Sequence, residues 1–306
     1  MNILIAGASG FVGQCLVEAL QQEHHITVLG RSQQTLQDVF LNTIKHCTWN
    51  ELYTLNPHEY DVIINLCGHN IAASRWTEDI KQKIIDSRVT TSQTLSQWIM
   101  SRQAKPRFLC ANAVGIYGLQ DNGELRSLDE DSFIDLEHPC DYMSDIGIRW
   151  QNALQPLIEY GVSVTTLRFG VVLKKHQGML KKLFLSFYCG LGSVVGEGTQ
   201  MISWIHIEDL VNAIIFLLQR PELSGAFNLT SPKPVTQAEF SHTLAHVMHR
   251  PLFLKMPAMV IRWLFGEMGE CLLLKGQRVV PKRLLDAGYV FHYPELKNAL
   301  HREFGS

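Results

Sequence analysis

Seven residues near the start restrict what this chain can fold into: Gly7-Ala8-Ser9-Gly10-Phe11-Val12-Gly13. The run before them, Asn2 to Ala6, is almost wholly apolar, as a parallel strand buried on both faces would be. The run after them, Phe11 to Gln22, has helical spacing, and Ile26 to Leu29 reads as a second strand. Together they make a βαβ unit of about 30 residues. Glycines let the backbone turn sharply and approach a ligand closely. The helix N-terminus behind them offers free N–H groups and a positive dipole end to a phosphate. Gly13 lets the helix pack tightly on the strand. A glycine triplet alone would also suit a structural turn, but in a first βαβ unit Gly7, Gly10 and Gly13 point to a dinucleotide site.

The alternation continues. Asp61 to Cys67, Arg107 to Val114, Val162 to Arg168 and Ala226 to Thr230 read as strands. Glu78 to Arg102, Tyr142 to Glu159 and Gln237 to His249 have helical spacing. The expected fold is α/β: a doubly wound parallel sheet of Rossmann type over residues 1–230, with helices on both faces. Residues 231–306 show no βαβ alternation. They are expected to form a small, mainly helical C-terminal domain, with 173–200 contributing to the substrate side.

Composition narrows the function. The chain has 306 residues, a formal net charge of -2 and no biased tract. A broad nucleic-acid-binding surface is not expected at that charge. The longest aliphatic runs, such as Ala213 to Leu218, fall far short of the roughly 20 residues a membrane span needs, so no membrane partner is expected. Met1 leads directly into the first strand, with no basic stretch of a signal peptide. Seven widely spaced cysteines without a C-x-x-C pair suit reduced, mostly buried thiols in a cytoplasmic protein. No metal is expected. His242, His246 and His249 have H-x-x-x-H-x-x-H spacing, but no H-E-x-x-H motif or cysteine pair completes a site, and a solvated helix face accounts for them.

The end of the second strand selects the dinucleotide. NAD sites usually carry an acid there for the ribose 2′-hydroxyl. Here Gly30-Arg31-Ser32 stands instead, and an arginine can pair with the 2′-phosphate of NADP. A solvated loop arginine, with NAD as cofactor, is the alternative.

Further motifs occur in order: NLCGHNI at 65–71, RWTEDIKQKIIDSRVTTS at 75–92, AVGIYG at 113–118, RFGVVL at 168–173, SWIHIEDL at 203–210 and GQRVVPKRL at 276–284. With the glycine turn they span nearly the whole chain. The sequence thereby resembles the YfcH-like "epimerase family protein" group of atypical extended short-chain dehydrogenases/reductases, in the NAD-dependent epimerase/dehydratase superfamily. The resemblance implies a Rossmann domain and NADP(H) binding. It assigns Gly7, Gly10 and Gly13, with the backbone of Ser9, Phe11 and Val12, to the pyrophosphate. Arg31 and Ser32 fall at the adenosine-phosphate position, and Leu66, Cys67 and Gly68 on the adenine and ribose side. Arg88 matches a cofactor-contacting arginine, a helix-surface salt bridge being the alternative. Val172 stands where backbone contacts to the nicotinamide end are expected.

Most enzymes of that superfamily use a Ser or Thr and a Tyr followed four residues later by Lys, which lowers the tyrosine pKa. Here Tyr142 has Ile146 at that spacing, and Asn112-Ala113 replaces the hydroxyl residue. Tyr142 is therefore expected to be a packing residue more than an acid or base. Tyr117 is the second candidate, with a satisfied core tyrosine as its alternative. His206 is a weaker candidate base, Asp209 is expected to be structural, and Gln200 and Trp204 are candidates to face the substrate. Two functions remain open: an NADP-dependent oxidoreductase or epimerase acting on a small carbonyl or nucleotide-sugar-like substrate, or an NADP(H)-sensing module with a degenerate site, linked to cell division as some relatives are labelled. The oligomeric state is not legible in the sequence.

Overall fold

The computed structural model describes residues 1–40, 43–124 and 126–305. Its centre is a seven-stranded sheet. It begins with β1 (Asn2–Ala6), β2 (His25–Gly30), β3 (Lys45–Thr48), β4 (Val62–Asn65), β5 (Arg107–Ala113) and β6 (Val164–Phe169). Four short strands follow: β7 (Val171–Leu173), β8 (Ser193–Val195), β9 (Met201–Ile202) and β10 (Trp204–His206). The sheet is completed by β11 (Gly225–Leu229). Its order is β11-β6-β5-β4-β1-β2-β3, and every pair is parallel. The order reverses between β1 and β4. In such sheets the crevice beyond the carboxyl ends of those two strands is where ligands bind.

The apolar run of β1 feeds two cores because strand side chains alternate. Ile3 and Ile5 pack under α1 (Phe11–Leu20), while Leu4 and Ala6 face the opposite layer. After α2 (Gln33–Val39), that layer is α3 (Glu78–Ser101) and α4 (Tyr142–Asn152), which bring Trp98 and Trp150 onto the sheet. The helix expected over 142–159 is interrupted, and α5 (Gln155–Glu159) starts anew with proline in its first turn. Pro156 has no N–H to extend the ladder of α4 and suits a helix start instead.

The remaining elements divide between the layer of α1 and a separate core. After α6 (Gly178–Tyr188) and α7 (Ile207–Leu218) come β12 (Val235–Thr236), α8 (Gln237–Val247), β13 (Leu254–Met256), α9 (Ala258–Phe265), α10 (Glu267–Gly269), α11 (Lys282–Asp286) and α12 (Leu296–Phe304). Leu173, Leu180 and Phe187 share a core with Phe240, Leu244 and Leu300, so 173–200 and the tail are packed together. Leu284, Tyr289 and Phe291 join the core under the sheet.

The GQRVVP segment is the fastener. Leu128 N–H donates to the Arg278 carbonyl and Val280 N–H to the Leu128 carbonyl, both at 2.8 Å. From the other side Ser203 Oγ donates to the Gln277 carbonyl at 2.7 Å and accepts from Val279 N–H at 2.8 Å. Among the described residues, no helix is long and apolar enough to cross a membrane.

Candidate active site

The glycine turn lies at the reversal point. Gly7 has φ +77, and a Cβ there would stand 2.8 Å from the Leu66 carbonyl carbon and the Cys67 nitrogen, just beyond β4. A Cβ on Gly13 would stand 2.5 Å from the Ala8 carbonyl oxygen. Both glycines are thus required by close backbone approach. Gly10 caps α1 without a side chain, and no acid occupies the helix's first turn. The N–H groups of Phe11, Val12 and Gly13 therefore have no acceptor within the helix. An anion is the natural acceptor there.

Arg31 is exposed at the end of β2, and the first turn of α2 holds no acid. Ser32 is partly engaged already: its hydroxyl caps α2, accepting from Thr35 N–H at 3.4 Å. Leu66, Cys67 and Gly68 follow β4. Buried Asn65 fixes this turn by accepting from Cys67 N–H at 3.1 Å and donating to Ser92 Oγ at 3.1 Å. Burial pushes the Cys67 thiol up to about 12, and the nearby Arg31 charge opposes that rise.

Arg88 sits behind Gly68, whose added Cβ would be 3.1 Å from the guanidinium carbon. It donates to the carbonyls of Ile84 at 2.8 Å and His69 at 3.1 Å, and lies 5.0 Å from the centroid of the Trp150 ring. Burial draws it down to about 10. The surface salt bridge is not formed: among the described residues no carboxylate pairs with it. Val172 in β7 is half-buried, and its carbonyl and Phe11 both lie within 4 Å of where a Cβ on Gly178 would be. The end of the cleft at β7 is thereby joined to the glycine turn.

Residues 3–230 match the NAD dependent epimerase/dehydratase family. The chain belongs to that family. Residues 256–303 match a domain of unknown function, DUF1731. "Epimerase family protein Mb2239" of Mycobacterium bovis is 35% identical over 97% of this chain and 96% of its own length. "Epimerase family protein YfhF" of Bacillus subtilis is 34% identical over 98% and 97%. The crystal structure of human epimerase family protein SDR39U1 with NADPH superposes with a TM-score of 0.87 at 29% identity, covering 99% of both chains. The resemblance legible in the motifs is thus borne out, as is the Rossmann-type sheet.

Neither tyrosine of this epimerase-family chain has an idle hydroxyl. Tyr142 donates to the Lys81 carbonyl at 2.9 Å and meets Trp76 edge-on at 4.8 Å. Burial pushes it up to about 12, although the Arg88 charge opposes this. The sequence offered no cation near Tyr142, but α3 brings one: Lys81 Nζ lies 5.1 Å from its ring centroid. That ammonium is held by Glu267 at 2.6 Å. The Tyr117 hydroxyl donates to Asn228 Oδ1 at 2.9 Å and accepts from Arg168 Nη1 at 2.8 Å. This is the arrangement of a satisfied core tyrosine, and burial raises its pKa further.

The other candidates disperse. His206 is fully buried, caps α7 and pairs through Nε2 with Glu303 at 2.8 Å, which makes it structural. Asp209 is buried and accepts from the His292 and Tyr293 N–H groups. Trp204 is fully buried with its indole N–H on the Lys233 carbonyl, so it does not face a substrate. Gln200 is buried, donating to the Leu273 carbonyl, with no partner for its Oε1 among the described residues. His242, His246 and His249 are exposed, and among the described residues no group of three ligands is placed to hold a metal.

Sequence reasoning missed one polar constellation. Arg168 is buried and also donates to Gln151 at 2.9 Å. Buried Glu130 accepts from Asn228 N–H at 2.7 Å. The arginine in RFGVVL was the available signal, since a charged residue inside a central strand must find partners.

Proposed function

We propose that this chain is an NADP(H)-dependent oxidoreductase or epimerase acting on a small carbonyl or nucleotide-sugar-like substrate. The cofactor part rests on one observation: the second strand ends in Arg31 with no carboxylate, beside a glycine cradle that a Cβ would fill. In this reading Gly7, Gly10 and Gly13, with the N–H groups of Ser9, Phe11 and Val12, hold the pyrophosphate. Arg31 and Ser32 hold the 2′-phosphate, and Leu66, Cys67 and Gly68 flank the adenosine side. Arg88, a guanidinium without a carboxylate, adds positive potential to the cleft. Val172 borders the nicotinamide end. The cofactor would supply a hydride donor or acceptor. The NADPH complex of the human relative supports the choice of phosphate form.

Arg31→Ala is expected to weaken NADPH binding about ten- to a hundredfold, the worth of one charge-assisted contact, and to leave NADH binding unchanged. Fluorescence titration with both cofactors checks this. Equal loss for both, or none, would remove Arg31 from the site.

The proton does not travel through Tyr142 in this reading, because its hydroxyl is spent on a carbonyl and its pKa is raised. The Tyr117 hydroxyl is spent in the same way on Asn228 and Arg168, so a water completes the transfer. Tyr142→Phe should keep most of the turnover rate, while a hundredfold fall with NADPH affinity intact would restore Tyr142 as the acid. The engaged hydroxyls favour a second reading, an NADP(H)-sensing module. An assay of cofactor oxidation over sugars, quinones and carbonyls separates the two.

A further inference from the structure

Charge is unevenly distributed along this chain. Residues 171–196 carry Lys174, Lys175, Lys181 and Lys182, and residues 240–266 carry Arg250, Lys255 and Arg262. Neither segment contains an Asp or a Glu. The remainder holds 20 Lys and Arg against 29 Asp and Glu. The two basic segments are far apart in sequence and adjacent in space. Strand β8 pairs with β13, and Arg250 Nε donates to the Tyr188 carbonyl at 2.7 Å.

The same segments expose apolar bulk. Half of the large, exposed apolar side chains among the described residues fall within them. Phe253, Met259 and Trp263 are each at least three-quarters exposed, and Leu185, Tyr188 and Leu191 are each more than half exposed. Met259 and Trp263 are one helical turn apart on α9 and share a face. Exposed apolar residues this dense mark an interaction surface. Arg262 is partly offset by Glu270 at 2.7 Å, and Lys182 donates to the Ala72 carbonyl. Lys181 and Lys255 remain exposed beside the apolar residues.

Basic residues around exposed Trp, Tyr, Phe, Leu and Met match one occupant best. We propose that α6, the β8–β13 pair and α9 form a surface that docks on an anionic lipid bilayer. The apolar side chains would enter the headgroup boundary, and the lysines would meet lipid phosphates. A protein partner of ordinary composition gives no reason for two segments to exclude every acid. Attachment of this kind needs no spanning helix, so the short aliphatic runs of the sequence do not bear on it.

The test is co-sedimentation of the full chain, loaded with NADPH, with vesicles of phosphatidylcholine plus phosphatidylglycerol and with vesicles of phosphatidylcholine alone. Binding to the mixed vesicles only, and its release by high salt, is expected. The pair Lys181→Glu/Lys255→Glu should weaken binding at least about 25-fold, taking about fivefold for each basic residue lost at the surface. The pair Met259→Glu/Trp263→Glu should weaken it about tenfold or more. Unchanged NADPH affinity in both variants certifies the fold. Absence of binding to the mixed vesicles overturns the proposal, as does equal binding by wild type and both variants. So does a wild-type dimer that ignores vesicles and is split by Met259→Glu/Trp263→Glu, which would give the surface to a second copy of the chain.

Discussion

Gly13→Ala is expected to lower NADPH affinity about a hundredfold or more, and to destabilise the fold by about 1–3 kcal/mol. The added methyl would meet Ala8 at three backbone atoms, its carbonyl oxygen at 2.5 Å, its Cα at 2.6 Å and its carbonyl carbon at 2.7 Å. None can rotate away as a side chain would. Helix α1 must therefore lift from the end of β1, and its first N–H groups move off any phosphate they hold. Gly10→Ala is the informative comparison, since its nearest contact is the Gly7 carbonyl oxygen at 3.2 Å. Calorimetric titration with NADPH, alongside thermal melting, separates lost affinity from lost stability. Wild-type affinity in Gly13→Ala would mean that the glycine turn does not hold the cofactor.

Gly276→Ala should be the more damaging change to stability, costing about 3 kcal/mol or more. Its Cβ would fall inside the van der Waals shell of the Met201 carbonyl oxygen. Gly276 also receives the hydrogen bond from Gln120 N–H at 3.0 Å, so the backbone is fixed on both sides. For a chain of this size the melting temperature should drop by roughly 5 °C or more. Gly123→Ala is the control. Gly123 has φ +90 with nothing within 4 Å of an added Cβ, so it shows backbone strain without collision. Equal melting temperatures for the two variants would mean that the segment at 276–280 gives way without cost.

The parts legible in the sequence are those whose causes are local. The β1–turn–α1 unit was visible because an apolar run, three spaced glycines and a helical period all lie within about 20 residues and agree. The end of β2 was legible for the same reason, as Arg31 and Ser32 are adjacent. Strand β3 was not legible. It is a four-residue edge strand with only Cys47 buried, and short edge strands carry little pattern. The buried constellation of Arg168, Tyr117 and Asn228 was also hidden, because its members are 51 and 111 residues apart in hydrogen-bonding pairs. The state of Tyr142 was half visible. The missing lysine could be read at position 146, whereas the Lys81 carbonyl that takes its hydroxyl comes from a helix 61 residues away.

Strand β11 pairs with β6 on one side and is the border of the sheet on the other. Its outward backbone is not left bare. Glu130 accepts from Asn228 N–H at 2.7 Å, and Arg283 Nη1 donates to the Ala226 carbonyl at 3.3 Å. Asn228 Nδ2 also reaches the Val280 carbonyl at 3.0 Å. A border strand with open N–H and C=O groups is a template for aggregation, and natural sheets block it with charge or with a covering segment. Here a glutamate from the loop after β5 and an arginine from α11 do both. The C-terminal segment thus shares in guarding this border against sheet-to-sheet growth, and shortening the chain before residue 276 would leave Glu130 to guard it alone.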